Sequence, residues 1–121
     1  FDGVHGENMS QLLPVREGEL GLRQSDAVFH HTKSLPDLSD RLFSRLENRE
    51  ISAIGVSTRP RAVEGSYMPC FMVETSFAST LSLLLKKEHY ECSHQKNHIL
   101  YLQTISFLCL LFCFLIKKKR L

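Results

Sequence analysis

His89, Cys92, His94 and His98 place four side chains able to bind a metal ion or carry a proton within ten positions. His94 and His98, four apart, share one face if the segment is helical, which is what a metal-binding pair needs. The rest of a zinc module is missing. A Cys-x-His step followed by His-x3-His has no Cys-x2-Cys knuckle, and Cys70 is the one further cysteine outside the C-terminal apolar run. A cysteine beside histidines is also the pair from which a nucleophile and its base are built, yet nothing signals a third positioning group or an oxyanion hole. The glycines at 3, 6, 18 and 21 fall in no strand-to-helix context, so they make no phosphate loop. His30-His31 reads as a solvated dipeptide. No catalytic residue, cofactor site or metal site emerges, and no small-molecule substrate is identified. The chain is expected not to be an enzyme, because a reaction centre also needs a rigid scaffold to hold it.

The elements that would supply such a scaffold are sparse. Residues 1–33 hold four of the six glycines and short apolar patches at Leu12-Leu13 and Leu20 to Leu22, without sustained periodicity, and are expected to be disordered. Residues 34–90 read as a small α or α/β fragment. Ser34 as N-cap, Pro36 in the first turn and Asp37 at the third helical position make a variant capping box. Leu35, Leu38, Leu42 and Leu46 then recur at steps of three and four, with Phe43 widening the stripe, so an amphipathic helix is expected over about 35–49. Asp37 is spaced to pair with Arg41 one turn on. The stripe Leu35, Leu38, Leu42, Phe43 and Leu46 is the candidate protein-binding surface, suited to a helical partner or an apolar groove. Ser34 is a candidate phosphorylation site, since a phosphate at a helix N-terminus would strengthen the helix.

Beyond that helix, Ile51, Ala53 and Ile54 to Val56 suggest a short extended segment broken by Gly55, and residues 57–65 a loop. A strand over about Phe71 to Thr75 and a second helix over about 78–88 follow, then a linker at 91–98. Ile99 to Ile116 is an uncharged run of 18 residues. As a helix it would be about 27 Å long, at the short end of what crosses a bilayer core. Tyr101 suits an interface and Lys117 onward a headgroup flank, so a transmembrane helix at 99–116 with a basic tail at 117–121 is expected. The lipid bilayer would be its partner. Lys118-Lys119-Arg120-Leu121 resembles the dilysine retrieval signal of the endoplasmic reticulum, carried by Lys118 and Lys119. Asn8-Met9-Ser10 fits the glycosylation acceptor pattern at Asn8.

At 121 residues the chain has room for one small domain, and the apolar run takes about a sixth of it. The formal charge of +2 conceals a split: residues 66–121 carry seven basic groups against three acidic ones, and four of the seven form the terminal run. A nucleic-acid binder would instead spread basic residues over a folded face among aromatics, so no nucleic-acid partner is expected. A chain beginning at Phe1 is either processed or a fragment. The fold class that results is mostly irregular with α segments and no complete independent globular domain. Two functional readings follow. The first is a non-enzymatic membrane-anchored fragment with a helical protein-interaction segment, located in a membrane such as the endoplasmic reticulum. The alternative is a cytoplasmic fragment or splice variant of a larger soluble scaffold or regulatory protein, its apolar tail derived from noncoding sequence.

Overall fold

The computed structural model describes residues 11–46, 50–96 and 112–117. Among them the order is α1 (Gln24–Ser44), β1 (Glu50–Arg59), α2 (Cys70–Leu85), β2 (His89–Ser93) and β3 (Phe112–Lys117), with one further helical turn at 94–96. The strands make a single sheet in the order β2-β1-β3. A mostly irregular chain was the expectation, and this helix-and-sheet arrangement corrects it.

Helix α1 begins at Gln24 and not at Leu35, and it ends at Ser44. The residues upstream of Ser34 extend the apolar stripe: Ala27, Ser34 and Leu38 are buried, with His31 between them at steps of three and four. Once α2 offers a face on which that stripe can lie, continuing the helix upstream gains both burial and backbone hydrogen bonds. Ser34 is therefore an interior residue of the helix, and Pro36 sits inside it as well, where its missing N–H leaves the Thr32 carbonyl without the usual donor. The expected Asp37–Arg41 pair is present at 3.6 Å on the exposed side. At the C-terminus Arg45 N–H donates to Leu42 O and Leu46 N–H to Phe43 O, a tightened final turn that turns Leu46 into the core.

Helix α2 likewise starts eight residues before the expected boundary, and it replaces the strand read over Phe71 to Thr75. Pro69 explains the start, since proline is tolerated where the N–H has no helical partner. Phe71 and Met72 N–H groups then donate to Met68 and Pro69 carbonyls. The helix stops at Lys86, which lies in the left-handed region at φ 53°. There the Lys87 N–H reaches back to Ser82 O at 3.1 Å, a carbonyl that also accepts from the Lys86 N–H.

Strand β1 is central, parallel to β2 on one side and antiparallel to β3 on the other. Gly55 does not break it, because pairing with Tyr90 on one side and Cys113 on the other holds its backbone extended. Ile54 and Val56, both fully buried, meet Ala78 and Leu81 of α2 and Leu46, with Leu42, Phe43, Ile51 and Phe77 packed around them. The parallel β1 and β2 are joined through α2, the crossover that parallel pairing requires. β2 occupies part of the segment read as a linker.

Strand β3 overturns the expected membrane helix. Glu50 pairs with Lys117, Ile51 with Ile116, Ile54 with Phe114 and Val56 with Phe112, with a bulge between Ile51 and Ala53. A run of Phe, Cys, Leu and Ile has no periodicity to distinguish helix from strand, and the open edge of β1 decides it. Among the described residues no helix is long and apolar enough to cross a membrane. The bilayer partner through Ile99–Ile116 and the membrane or endoplasmic-reticulum location rested on that helix, and they fall with it. Residues 99–111, the dilysine-like Lys118 and Lys119, and Asn8 lie outside the described residues.

Candidate functional site

One set of concealed polar groups lies where α1 meets α2, and Ser57 and Ser93 are buried in the sheet. Glu74 is the one charged residue of α2, on the helix face that also buries Phe71, Ala78 and Leu81. It is 4% exposed. Across the contact, His31 Nδ1 of α1 stands 3.9 Å from Glu74 Oε1, too long for a hydrogen bond. Glu74 Oε2, His31 Nδ1 and Gln24 Oε1 are buried without a hydrogen-bond partner among the described residues. Burial pushes the Glu74 carboxyl up to about 8. His31 moves down, first through burial and then through the neighbouring His30. Both shifts favour the uncharged forms, so at neutral pH the two groups face each other as carboxylic acid and imidazole rather than as an ion pair. Cys70, one turn before Glu74, is raised by burial and by Glu74 itself. Its thiol is therefore a weak nucleophile at neutral pH.

A second gathering of polar residues stands at the carboxyl ends of the parallel strands, the edge where open α/β sheets bind ligands. Ser57 pairs with Cys92 and Arg59 with Ser93 across a register shift. Thr58 Oγ1 donates to Cys92 O, Cys92 Sγ to Val56 O, and Gln95 N–H to Pro60 O. Ser93 Oγ accepts from the Lys96 N–H, opening the turn at 94–96. These bonds tie the two strand ends together. The Cys92 thiol is raised by burial, a shift opposed by the Ser57 hydrogen bond and the charges of Arg59 and Lys96.

The metal-type residues singled out in the sequence are spread through this region. His89 lies at the start of β2, where Nδ1 is 3.3 Å from Ser82 Oγ and Nε2 is 3.7 Å from Glu91 Oε1. The His94 ring meets the Phe71 ring edge-on at 5.7 Å. His98 lies outside the described residues. Among the described residues no group of three or more His, Cys, Asp or Glu is placed to hold a metal ion.

Of the protein-binding stripe, Leu38 and Leu46 are buried, Leu42 and Phe43 pack against the core cluster, and Leu35 is half-buried. Ser34 is buried towards α2. The large exposed apolar surface is elsewhere. Leu83 is 81% exposed and Leu84 76%, followed by Leu85, at the end of α2.

Two features escaped the sequence reading. Glu74 carried a signal, being a lone acid at a core position of an otherwise uncharged stretch from Cys70 to Leu85. His31 carried none, because its burial depends on α2. No family model matches this sequence, and neither the curated proteins nor the solved structures yield a match. The functional reading therefore rests on the chain's own geometry.

Proposed function

We propose that this α/β unit is part of a larger scaffold or regulatory protein and works through protein contact. The observation that carries this reading is the surface of α2. A helix apolar on most sides belongs between layers of protein, whereas here β1 and α1 cover one side and leave Leu83, Leu84, Leu85 and Met72 exposed. In the larger protein these side chains meet a further element. The test is the size of the native product. An antibody raised against residues 50–96 should detect a species well above 13.9 kDa in cells expressing the protein. Detection of a 13.9 kDa species alone, with the purified chain monodisperse and insensitive to Leu83→Lys and Leu84→Lys, refutes the proposal.

A second reading, binding of a small polar ligand, draws on the carboxyl ends of the parallel strands β1 and β2, where Thr58 Oγ1 donates to Cys92 O and Ser93 Oγ accepts from the Lys96 N–H. Ligand-observed NMR with a panel of small anions and nucleotides tests it. Hits that shift the Thr58 and Ser93 amides support it, and a panel without hits counts against it.

A further inference from the structure

Helix α1 is held to α2 across a contact with an acid and a base at its centre. Ala27, His31, Ser34 and Leu38 of α1 lie on the face that meets α2, and Glu74 of α2 reaches His31 at 3.9 Å. Burying two ionisable groups side by side with unsatisfied nitrogen and oxygen atoms is costly, and an apolar pair would fill the space more stably. What the pair adds is sensitivity to protons.

We propose that the α1–α2 contact is a proton-dependent clasp, in which Glu74 must keep its proton for α1 to stay docked, so that loss of the proton releases the helix and uncovers Ser34 and Leu38. The groups facing Glu74 permit this. From α1 it is His31, with His30 beside it. From α2 itself there is Cys70. From β1 the residues turned to α2 are the apolar Ile54 and Val56, and beyond β2 His94 reaches Phe71. No lysine or arginine occurs in α2 to stabilise a carboxylate there.

The direction follows from linkage. Glu74 titrates near 8 when docked and near its ordinary value once α1 has left. The docked state therefore holds more protons through that window, and it weakens as pH rises. His31 acts oppositely: its depressed value when docked means that acidification below about 6.5 also favours release. Below that point the two effects offset one another. Between pH 6.5 and 8 Glu74 dominates, and opening of α1 increases by about tenfold in all, levelling off as the docked carboxyl passes its midpoint.

Hydrogen exchange of the full chain, followed by mass spectrometry and normalised to the intrinsic exchange rate at each pH, reads the opening directly. Peptides covering residues 24–44 should lose protection by about tenfold between pH 6.5 and 8 while the core of β1 keeps its protection. Glu74→Gln should abolish this dependence, and Cys70→Ser should leave it in place. If Glu74→Gln does not fold, Glu74→Met serves as the variant, and the 13C shift of the Glu74 carboxyl in the unaltered protein gives its midpoint independently. A carboxyl midpoint near 4.5, or equal loss of protection in the unaltered protein and the Glu74 variant, overturns the proposal.

Discussion

Replacing Ser34 separates two accounts of α1 by the sign of the effect. If Ser34 capped a helix beginning at Leu35, aspartate would serve as well as serine, and alanine would cost about 1 kcal/mol through the lost capping bond. In the structure Ser34 is the eleventh residue of a 21-residue helix and is 9% exposed. On its own helix His31 lies one turn before it, and across the contact Glu74 is the charged residue of α2. A carboxylate placed there has no cation on α2 to meet, lies well away from the positive end of the helix, and loses its water. Such unpaired burial costs about 3 kcal/mol or more. Alanine removes a small hydroxyl and gains roughly 0.5 kcal/mol of helix propensity, so its net effect stays within about 1 kcal/mol of zero. The expected order of stability is therefore alanine close to serine, with aspartate far below both. In a domain of this size Ser34→Asp should lower the melting temperature by at least about 12 °C. Urea titration of the full-length variants, followed by circular dichroism at 222 nm, gives the comparison. Aspartate matching serine while alanine is weaker would refute the interior placement. The same reasoning makes Ser34 a poor kinase substrate in the docked state, and one that becomes accessible only when α1 leaves α2.

Pro36→Ala should stabilise the protein by about 1–3 kcal/mol, because an exposed proline inside α1 withholds one helical hydrogen bond; a loss of stability would mean that the helix does not run through this position. Lys86→Gly, at φ 53°, should add about 0.5–1 kcal/mol in chemical denaturation by relieving the left-handed strain, whereas Lys86→Val should destabilise. Ile54→Ala removes a side chain with no exposed surface at the centre of the core, and chemical denaturation should show a loss of about 2–5 kcal/mol in unfolding free energy. The far-ultraviolet spectrum of that variant should still show helix at low temperature, since α1 draws most of its backbone hydrogen bonds from within.

Several features were legible in the residues alone because they are local. The steps of three and four from Leu35 to Leu46 marked the apolar stripe, though as a face for a partner and not as the packed positions that Leu38, Leu42 and Leu46 occupy, and the i to i+4 spacing of Asp37 and Arg41 gave their ion pair. The β-branched residues around Gly55 marked an extended segment. What tertiary structure decided was everything that depends on a neighbour. Ser34 carries every local mark of an N-cap, yet the helix runs on past it to Gln24, because α2 supplies a surface against which Ala27 and His31 can be buried. The run ending at Ile116 has the composition of a bilayer helix, but an apolar sequence without a period suits any nonaqueous surroundings. Its last residues, from Phe112, became a strand because β1 offered a row of unpaired backbone donors and acceptors. Glu74 is an ordinary acid in the sequence, and its proton affinity is raised by burial where α1 closes over it. Hydrophobic pattern fixes which residues seek burial. Which partner buries them, and which polar groups are carried in with them, follows from how the elements meet.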